Sequence, residues 1–274
     1  MPRMHLVLTA ALVGMFALPA AGAQTAAGCS ASLPAGSATT CEGVGPGTFV
    51  SVDGGGGCTL NFVFQGSDRA TYVGTAGHCV VPLGSGTHTW KTNNGPAVRL
   101  SSSTNAATST SGSVIGHVVY AVQQKDAVDD LDFALIRLAK GVAPYTSVPY
   151  FGGPTGINAT ATAGTQILDL FGRPPGLGDT APARQLVARD LLNKEHAFAN
   201  GPAAPGDSGA PVLDAQGRAL GVLLGAGGNQ VTAGTTGTPS DSHGGGIVRI
   251  VRLAPILDTA SRVLQITLRL SLGR

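Results

Sequence analysis

A chain of 274 residues with 41 Gly and 17 Pro, 43% hydrophobic and 12% charged residues and a formal net charge of +2 dilutes its apolar content with turn-formers instead of charge. Disorder, a long coiled coil and collagen are excluded, because they require low hydrophobicity with high charge, Glu/Lys/Leu-rich heptads, or glycine at every third residue. What remains is a β-rich globular protein without the basic stripe that would neutralise phosphates, so no nucleic-acid partner is expected.

The first segment differs from the rest. Arg3 supplies a basic start, Leu6 to Leu18 is apolar, and Pro19 to Ala23 offers small residues for cleavage. This reads as a secretory signal peptide over residues 1–23, too short to anchor the chain in a membrane. The expected location is therefore secreted or periplasmic after cleavage near Ala23, with no membrane association. A lipoprotein-like Ala26-Ala-Gly-Cys29 lies too far beyond the apolar run to be the expected site. All four cysteines, Cys29, Cys41, Cys58 and Cys79, follow the signal segment, and in an oxidising compartment two disulfides are the default. Three pairings are open. Strand-like runs beside Cys58 and Cys79 favour that pair, with Cys29–Cys41 closing a small N-terminal loop.

Short β-type runs then recur between turn signals: Gly47 to Val52, Thr59 to Phe64, Ala70 to Gly74, Val114 to Val122, Phe133 to Leu138, Gln166 to Phe171, Ala219 to Leu224 and Ile247 to Val251. Only Arg184 to Lys194 and Ala254 to Val263 read as helices, and the first reads equally as a strand. Leu264 to Leu270 alternates beyond the last helix, as an added edge strand or an association surface would. Ser101 to Ser113 and Gly227 to Gly246 read as Ser/Thr/Gly-rich loops. A compositional boundary falls around Lys140 to Thr155 and divides residues 24–145 from 146–274. Each half holds about six strands if strands average ~5–6 residues.

Three local signals carry chemistry. Thr75-Ala-Gly-His78-Cys79 ends a strand with a histidine, the side-chain type suited to serve as base and then acid near neutral pH. Asp130-Leu-Asp132-Phe-Ala-Leu-Ile136 sets an acid at the mouth of an apolar strand, where it can orient an imidazole. Asp126, Asp129 and Asp130 lie nearby, but Asp132 directly precedes the apolar run. Pro205-Gly206-Asp207-Ser208-Gly209-Ala-Pro211 sets a serine between glycines, where the Gly206 and Ser208 amides can converge as an oxyanion hole.

Taken in the order His, Asp, Ser, these motifs resemble those of secreted serine endopeptidases of the chymotrypsin fold, the trypsin-like superfamily, especially the bacterial branch that includes α-lytic protease. The resemblance runs over roughly Gly47 to Leu257. It implies an all-β fold of two perpendicular six-stranded antiparallel barrels with the active site between them and a short C-terminal helix. His78 and Asp132 would come from the first barrel and Ser208 from the second. It further implies Ser208 as nucleophile, His78 as general base, Asp132 as orienting acid and Gly206 with Ser208 as oxyanion hole, acting on polypeptides as a monomer without cofactor or metal. The Cys58–Cys79 bridge also fits the family pattern around the catalytic histidine. Asp207 would pair with a buried cation, expected to be an internal arginine, because the Ile-Val-Gly-Gly start of zymogen-activated relatives is missing.

The chain departs from the family around specificity. The wall before the nucleophile is Pro202-Ala203-Ala204-Pro205 and contains no acid, which disfavours cleavage after Arg or Lys and favours apolar P1 residues. The second wall, usually Ser-Trp-Gly, reads Leu224-Gly225-Ala226. Cleavage after Glu stays open through His243 on the following loop. His78 lies too near the predicted cleavage point for a large folding pro-region, so the protein is expected to fold without one.

Blander readings remain alongside. His88, His117, His196 and His243 read as surface or packing residues, Gly54 to Gly57 as a loop, and Asn158-Ala-Thr160 as a chance match to a glycosylation acceptor. No zinc or phosphate motif is present. The rival functions are a non-catalytic binding protein on the same fold, favoured by the altered second wall, and a Gly/Thr-rich adhesion domain with no reactive serine.

Overall fold

The computed structural model describes residues 43–101, 112–124, 131–160, 166–172, 182–189, 195–227 and 247–273. The expected signal segment, Cys29 and Cys41, Asp126, Asp129, Asp130 and His243, and nearly all of the two low-complexity stretches, lie outside the described residues.

Strands β1 (Phe49–Val52), β2 (Gly57–Thr59), β3 (Val63–Gly66), β4 (Thr71–Thr75), β5 (Gly86–Thr89), β6 (Ala97–Leu100), β7 (Val114–Gln123) and β8 (Asp132–Leu138) form the first unit. The second contains β9 (Ile167–Phe171), β10 (Ala183–Ala188), β11 (His196–Asn200), β12 (Pro211–Leu213), β13 (Ala219–Gly227) and β14 (Ile247–Arg252). Helix α1 (Leu253–Leu264) and strand β15 (Leu268–Leu270) complete the chain. The second unit is a closed barrel in the order β10-β11-β14-β13-β12-β9, whereas the first is a nine-stranded antiparallel sheet ordered β15-β3-β4-β8-β7-β6-β1-β2, with β5 on β7. The all-β architecture with one C-terminal helix is as expected.

One local outcome differs from the sequence reading, and another settles between its two alternatives. The run from Thr59 to Phe64 is not one strand, because Leu60 to Phe62 leaves the ladder and crosses the sheet. There the Leu60 amide donates to the Thr48 carbonyl at 2.9 Å, the Asn61 amide donates to the Gly74 carbonyl at 2.8 Å, and the Asn61 side chain accepts the Phe62 amide at 2.8 Å. These bonds draw the β2 end of the sheet toward β4. The segment from Arg184 is a strand, not a helix, as far as it is described. In β10 Arg184, Leu186 and Ala188 are buried while Gln185 and Val187 are exposed, a period of two that only a strand produces.

Apolar burial joins the halves. Val50, Val73, Val98 and Ile136 fill the first sheet, and Leu168, Leu186, Val212 and Ile250 fill the barrel. A third cluster, with Phe62, Phe133, Phe171, Leu213 and Ile256, takes residues from both. Helix α1 buries Leu253, Ile256, Leu257 and Ala260, spaced as one stripe of a 3.6-residue helix. Beyond it, Leu268 pairs with Gly66 and Leu270 with Phe64, so the alternating tail adds an edge strand to the first sheet. The tail continues past the strand: Ser271 donates to the Val63 carbonyl and Gly273 to the Pro154 carbonyl, each at 2.9 Å. Leu268→Ala is expected to lower stability by about 2–3 kcal/mol, the low end for a buried leucine because an edge can relax. Urea unfolding should show that loss, while Leu272→Ala at an exposed position stays within about 0.5 kcal/mol of the parent.

Candidate active site

Strand β4 delivers His78. After Thr75 the chain enters a single 3-10 turn, Gly77–Cys79. Glycine is required at 77, since a Cβ there would sit 2.0 Å from the Val122 carbonyl oxygen. A disulfide from Cys79 to Cys58 anchors the turn to β2. Asp132, the first residue of β8, faces this turn. Its Oδ1 accepts the His78 backbone amide at 2.9 Å and its Oδ2 lies 2.7 Å from His78 Nδ1. The carboxylate is 5% exposed and the imidazole 29%. A carboxylate accepts in this contact, so the geometry fits a ring proton on Nδ1.

The turn around Ser208 is held from both units. From the barrel side, Asp207 is buried beneath it, and its two oxygens take the Nη1 and Nη2 donors of Arg184 on β10. These side chains are 1% and 3% exposed, and Arg184 also donates to the Gly172 carbonyl at 3.2 Å. Arg184 is therefore the internal arginine that the sequence leaves unnamed. The same carboxylate accepts the Ala204 amide at 2.8 Å, while the Asp207 amide donates to the Ala204 carbonyl at 3.0 Å. From the first sheet, the Thr59 amide donates to the Ser208 carbonyl at 2.9 Å, the Thr59 hydroxyl to the Gly206 carbonyl at 2.7 Å, and the Asn61 side chain to the Gly209 carbonyl at 3.1 Å. Gly209 has φ +89°, and a Cβ there would meet the Thr59 carbonyl at 2.3 Å.

Among the described residues no protein acceptor takes the Gly206 or Ser208 amide. The Ser208 hydroxyl donates to the Leu224 carbonyl at 3.2 Å. His78 and Ser208 each neighbour the same short segment: Cys58 Sγ lies within 4.8 Å of a His78 ring nitrogen, and the next residue, Thr59, bonds the Ser208 carbonyl. The trio Cys58, His78 and Cys79 has the proximity of a metal cluster, but both sulfurs are consumed in the disulfide.

The other singled-out residues fall as follows. Pro202, Ala203, Ala204 and Pro205 lead into the Ser208 turn without a carboxylate of their own, and Ala203 is buried. Leu224, Gly225 and Ala226 lie on β13, where the Leu224 carbonyl accepts the Ser208 hydroxyl and the pairing with β14 slips between Leu223 and Gly225. His88 stacks on Trp90, His117 meets the Gly95 carbonyl, and His196 is buried in β11. Asn158 is buried and donates to Asp214 at 2.8 Å, so it is not displayed as an acceptor for glycosylation. Sequence reading missed Thr59, Asn61 and Thr75, whose only signal is polarity inside apolar runs. Arg184→Met leaves a buried carboxylate uncompensated and is expected to cost about 3–5 kcal/mol. Denaturant unfolding of Arg184→Met beside the Arg184→Met/Asp207→Leu double variant should show the double variant recovering much of that loss.

No curated protein sequence matches the chain. Among solved structures it is similar to a Nocardiopsis protease, at 18% identity and a TM-score of 0.48 over 82% of this chain and 98% of the other. It is similar also to a Cellulomonas bogoriensis chymotrypsin, at 18% identity and a TM-score of 0.47 over 83% and 98%. The model of the trypsin-like peptidase domain matches residues 58–222, more than half of the sequence and all of the segment from the His78 turn to the Ser208 turn. On that match the chain belongs to the trypsin-like peptidase family.

Proposed function

We propose that the chain is an exported serine endopeptidase that hydrolyses peptide bonds through an acyl-enzyme on Ser208. The observation that carries this reading is the His78–Asp132 contact at 2.7 Å, together with a serine turn in which, among the described residues, no protein acceptor takes the Gly206 or Ser208 amide. Catalysis begins when the Ser208 side chain turns from the Leu224 carbonyl toward His78 Nε2. Oγ then attacks the scissile carbonyl carbon as its proton passes to Nε2, and Asp132 stabilises the imidazolium without taking a proton. The oxygen that becomes negative lies against the Gly206 and Ser208 amides, where loss of one donor costs about 10²–10³ in rate in comparable sites. His78 gives the proton to the leaving amine, whose C–N bond breaks. Water then repeats the attack on the ester and restores the Ser208 hydroxyl. No step calls on a metal or cofactor.

Export rests on the Met1 to Ala23 segment and on the Cys58–Cys79 disulfide, which requires an oxidising compartment to persist. No helix among the described residues is long and apolar enough to cross a membrane. The acid-free wall Pro202 to Pro205 supports apolar residues at P1.

A fluorophosphonate probe should label the folded protein stoichiometrically, with labelling lost in Ser208→Ala and peptide turnover about 10⁴-fold lower in Asp132→Asn. An unlabelled folded protein would favour a non-catalytic binding protein on this fold. In a peptide library, cleavage should fall after apolar side chains, and dominant cleavage after Arg or Lys would exclude the assigned pocket.

A further inference from the structure

The nucleophile turn lies in the second barrel, yet three of its carbonyls are held by the first sheet. Thr59 takes two of them: its amide bonds the Ser208 carbonyl at 2.9 Å and its hydroxyl bonds the Gly206 carbonyl at 2.7 Å. Thr59 is fully buried, and its own carbonyl accepts the hydroxyl of Thr75 at 2.9 Å, also fully buried and three residues before His78. A continuous path of hydrogen bonds thus runs from the strand that delivers the histidine to the two residues that present the unengaged amides. Burial makes each bond consequential, because a hydroxyl or carbonyl left unpaired there would lose its water partners without replacement.

Gly206 is the residue on this path that most needs restraint. It stands at φ +102°, follows an exposed proline, and has no side chain to pack. Glycine moves between backbone conformations at little steric cost, so its amide would not keep one direction unless neighbouring peptides were fixed. The Ser208 side is fixed by the Asp207–Arg184 pair and by the Thr59 amide. On the Gly206 side the only side chain among the described residues bonded to the carbonyl is Thr59.

The geometry points to Thr59 as a positioning residue for the oxyanion hole: its hydroxyl, on a residue whose carbonyl Thr75 holds, pins the Gly206 carbonyl, and with the Asp207 amide bonded to Ala204 this restricts the rotation by which the Gly206 amide could turn away from the developing oxyanion. Thr59 touches no reacting atom. This inference rests on the acyl-enzyme reading above and names a determinant of that site. A hydroxyl at this position is distinguishable from a structural requirement for bulk, since valine preserves the shape and serine preserves the bond.

The test compares the parent with Thr59→Val and Thr59→Ser, using a peptide anilide with an apolar P1 residue, fluorophosphonate labelling and inhibition by a peptide boronic acid whose hydroxyl occupies the oxyanion position. In Thr59→Val, kcat should fall about 10- to 100-fold with KM nearly unchanged, as for a misplaced donor that acts only in the transition state. Labelling rate and boronate affinity should fall in parallel, and Thr59→Ser should restore both to within about threefold. Equal kcat in Thr59→Val and parent would overturn the inference. A Thr59→Ser variant as defective as Thr59→Val, or a change confined to KM, would do the same. Should Thr59→Val fail to fold, Thr75→Val removes the preceding bond of the path while leaving Thr59 in place; its kcat should drop with KM held, and an unchanged kcat again overturns the inference. A parent that is not labelled at all overturns the acyl-enzyme reading and this inference with it, whereas a labelled parent with an unaffected Thr59→Val removes only the inference.

Discussion

The Ser208 turn depends on burying the Asp207 carboxylate. A charge excluded from water this thoroughly is tolerable only with a fixed counter-charge and a full set of hydrogen bonds, and Arg184, a guanidinium fork matched to a carboxylate, supplies the counter-charge. This requirement reaches outward in two directions. On β10 it is met by an arginine on the buried side of the strand, in phase with Leu186 and Ala188. It also fixes Asp207 against the Ala204 amide, so the chain from Ala204 to Ala210 must close as a tight turn with Ser208 at its crest. The pair is weak evidence for net stability, because its attraction only offsets desolvation. Its effect is to make one conformation of the turn far better than the others.

The first sheet contributes what the barrel lacks. His78 and Asp132 come from adjacent strands, β4 and β8, whose ladder pairs Thr75 with Ala134 and so sets the turn after β4 beside the start of β8. The Asp132 carboxylate engages both the backbone amide and the ring of His78, so ring orientation is fixed by two bonds and not by one. Close backbone approach at Gly77 and the Cys58–Cys79 bridge prevent the turn from drifting. Thr59 and Asn61 then reach across to the Ser208 turn from the chain that carries Cys58. His78 and the Ser208 turn are thereby both tied to the short segment Cys58 to Asn61.

Much of this was legible because the decisive constraints are local. A glycine before His78, an acid at the start of an apolar strand and a Gly-Asp-Ser-Gly turn announce themselves by residue type within a few positions, and α1 and the long strands β7 and β8 by unbroken patterning. Contacts between distant segments were not legible. The break at Leu60 to Phe62 arises from bonds to Thr48 and Gly74, which no window around Asn61 contains. The cation for Asp207 was expected as an arginine, but choosing Arg184 requires knowing that β10 closes the barrel against β9. Strands β5, β6, β11 and β12 are short and exist chiefly through their partners, so their own sequences carry little signal. Asn158 agrees with its reading as a chance match, since the side chain is buried and donates to Asp214.

Catalytic geometry needs side chains held to about half an ångström, a tolerance that two loosely docked halves could not maintain. Here the halves share an apolar cluster in which Phe62 and Phe133 of the first sheet meet Phe171 and Leu213 of the barrel. Separating the halves would expose these side chains, at roughly 25 cal/mol for each Å² returned to water. The tail adds a second tie: having completed the barrel and α1, the chain returns to pair with β3, and beyond the strand it bonds the Pro154 carbonyl in the connection between the halves. That pairing also covers what would be an open sheet edge at β3. The hydrogen bonds from Thr59 and Asn61 to the Ser208 turn therefore cross an interface already closed by apolar contact, and their role is to choose one alignment of the two halves, not to hold them together.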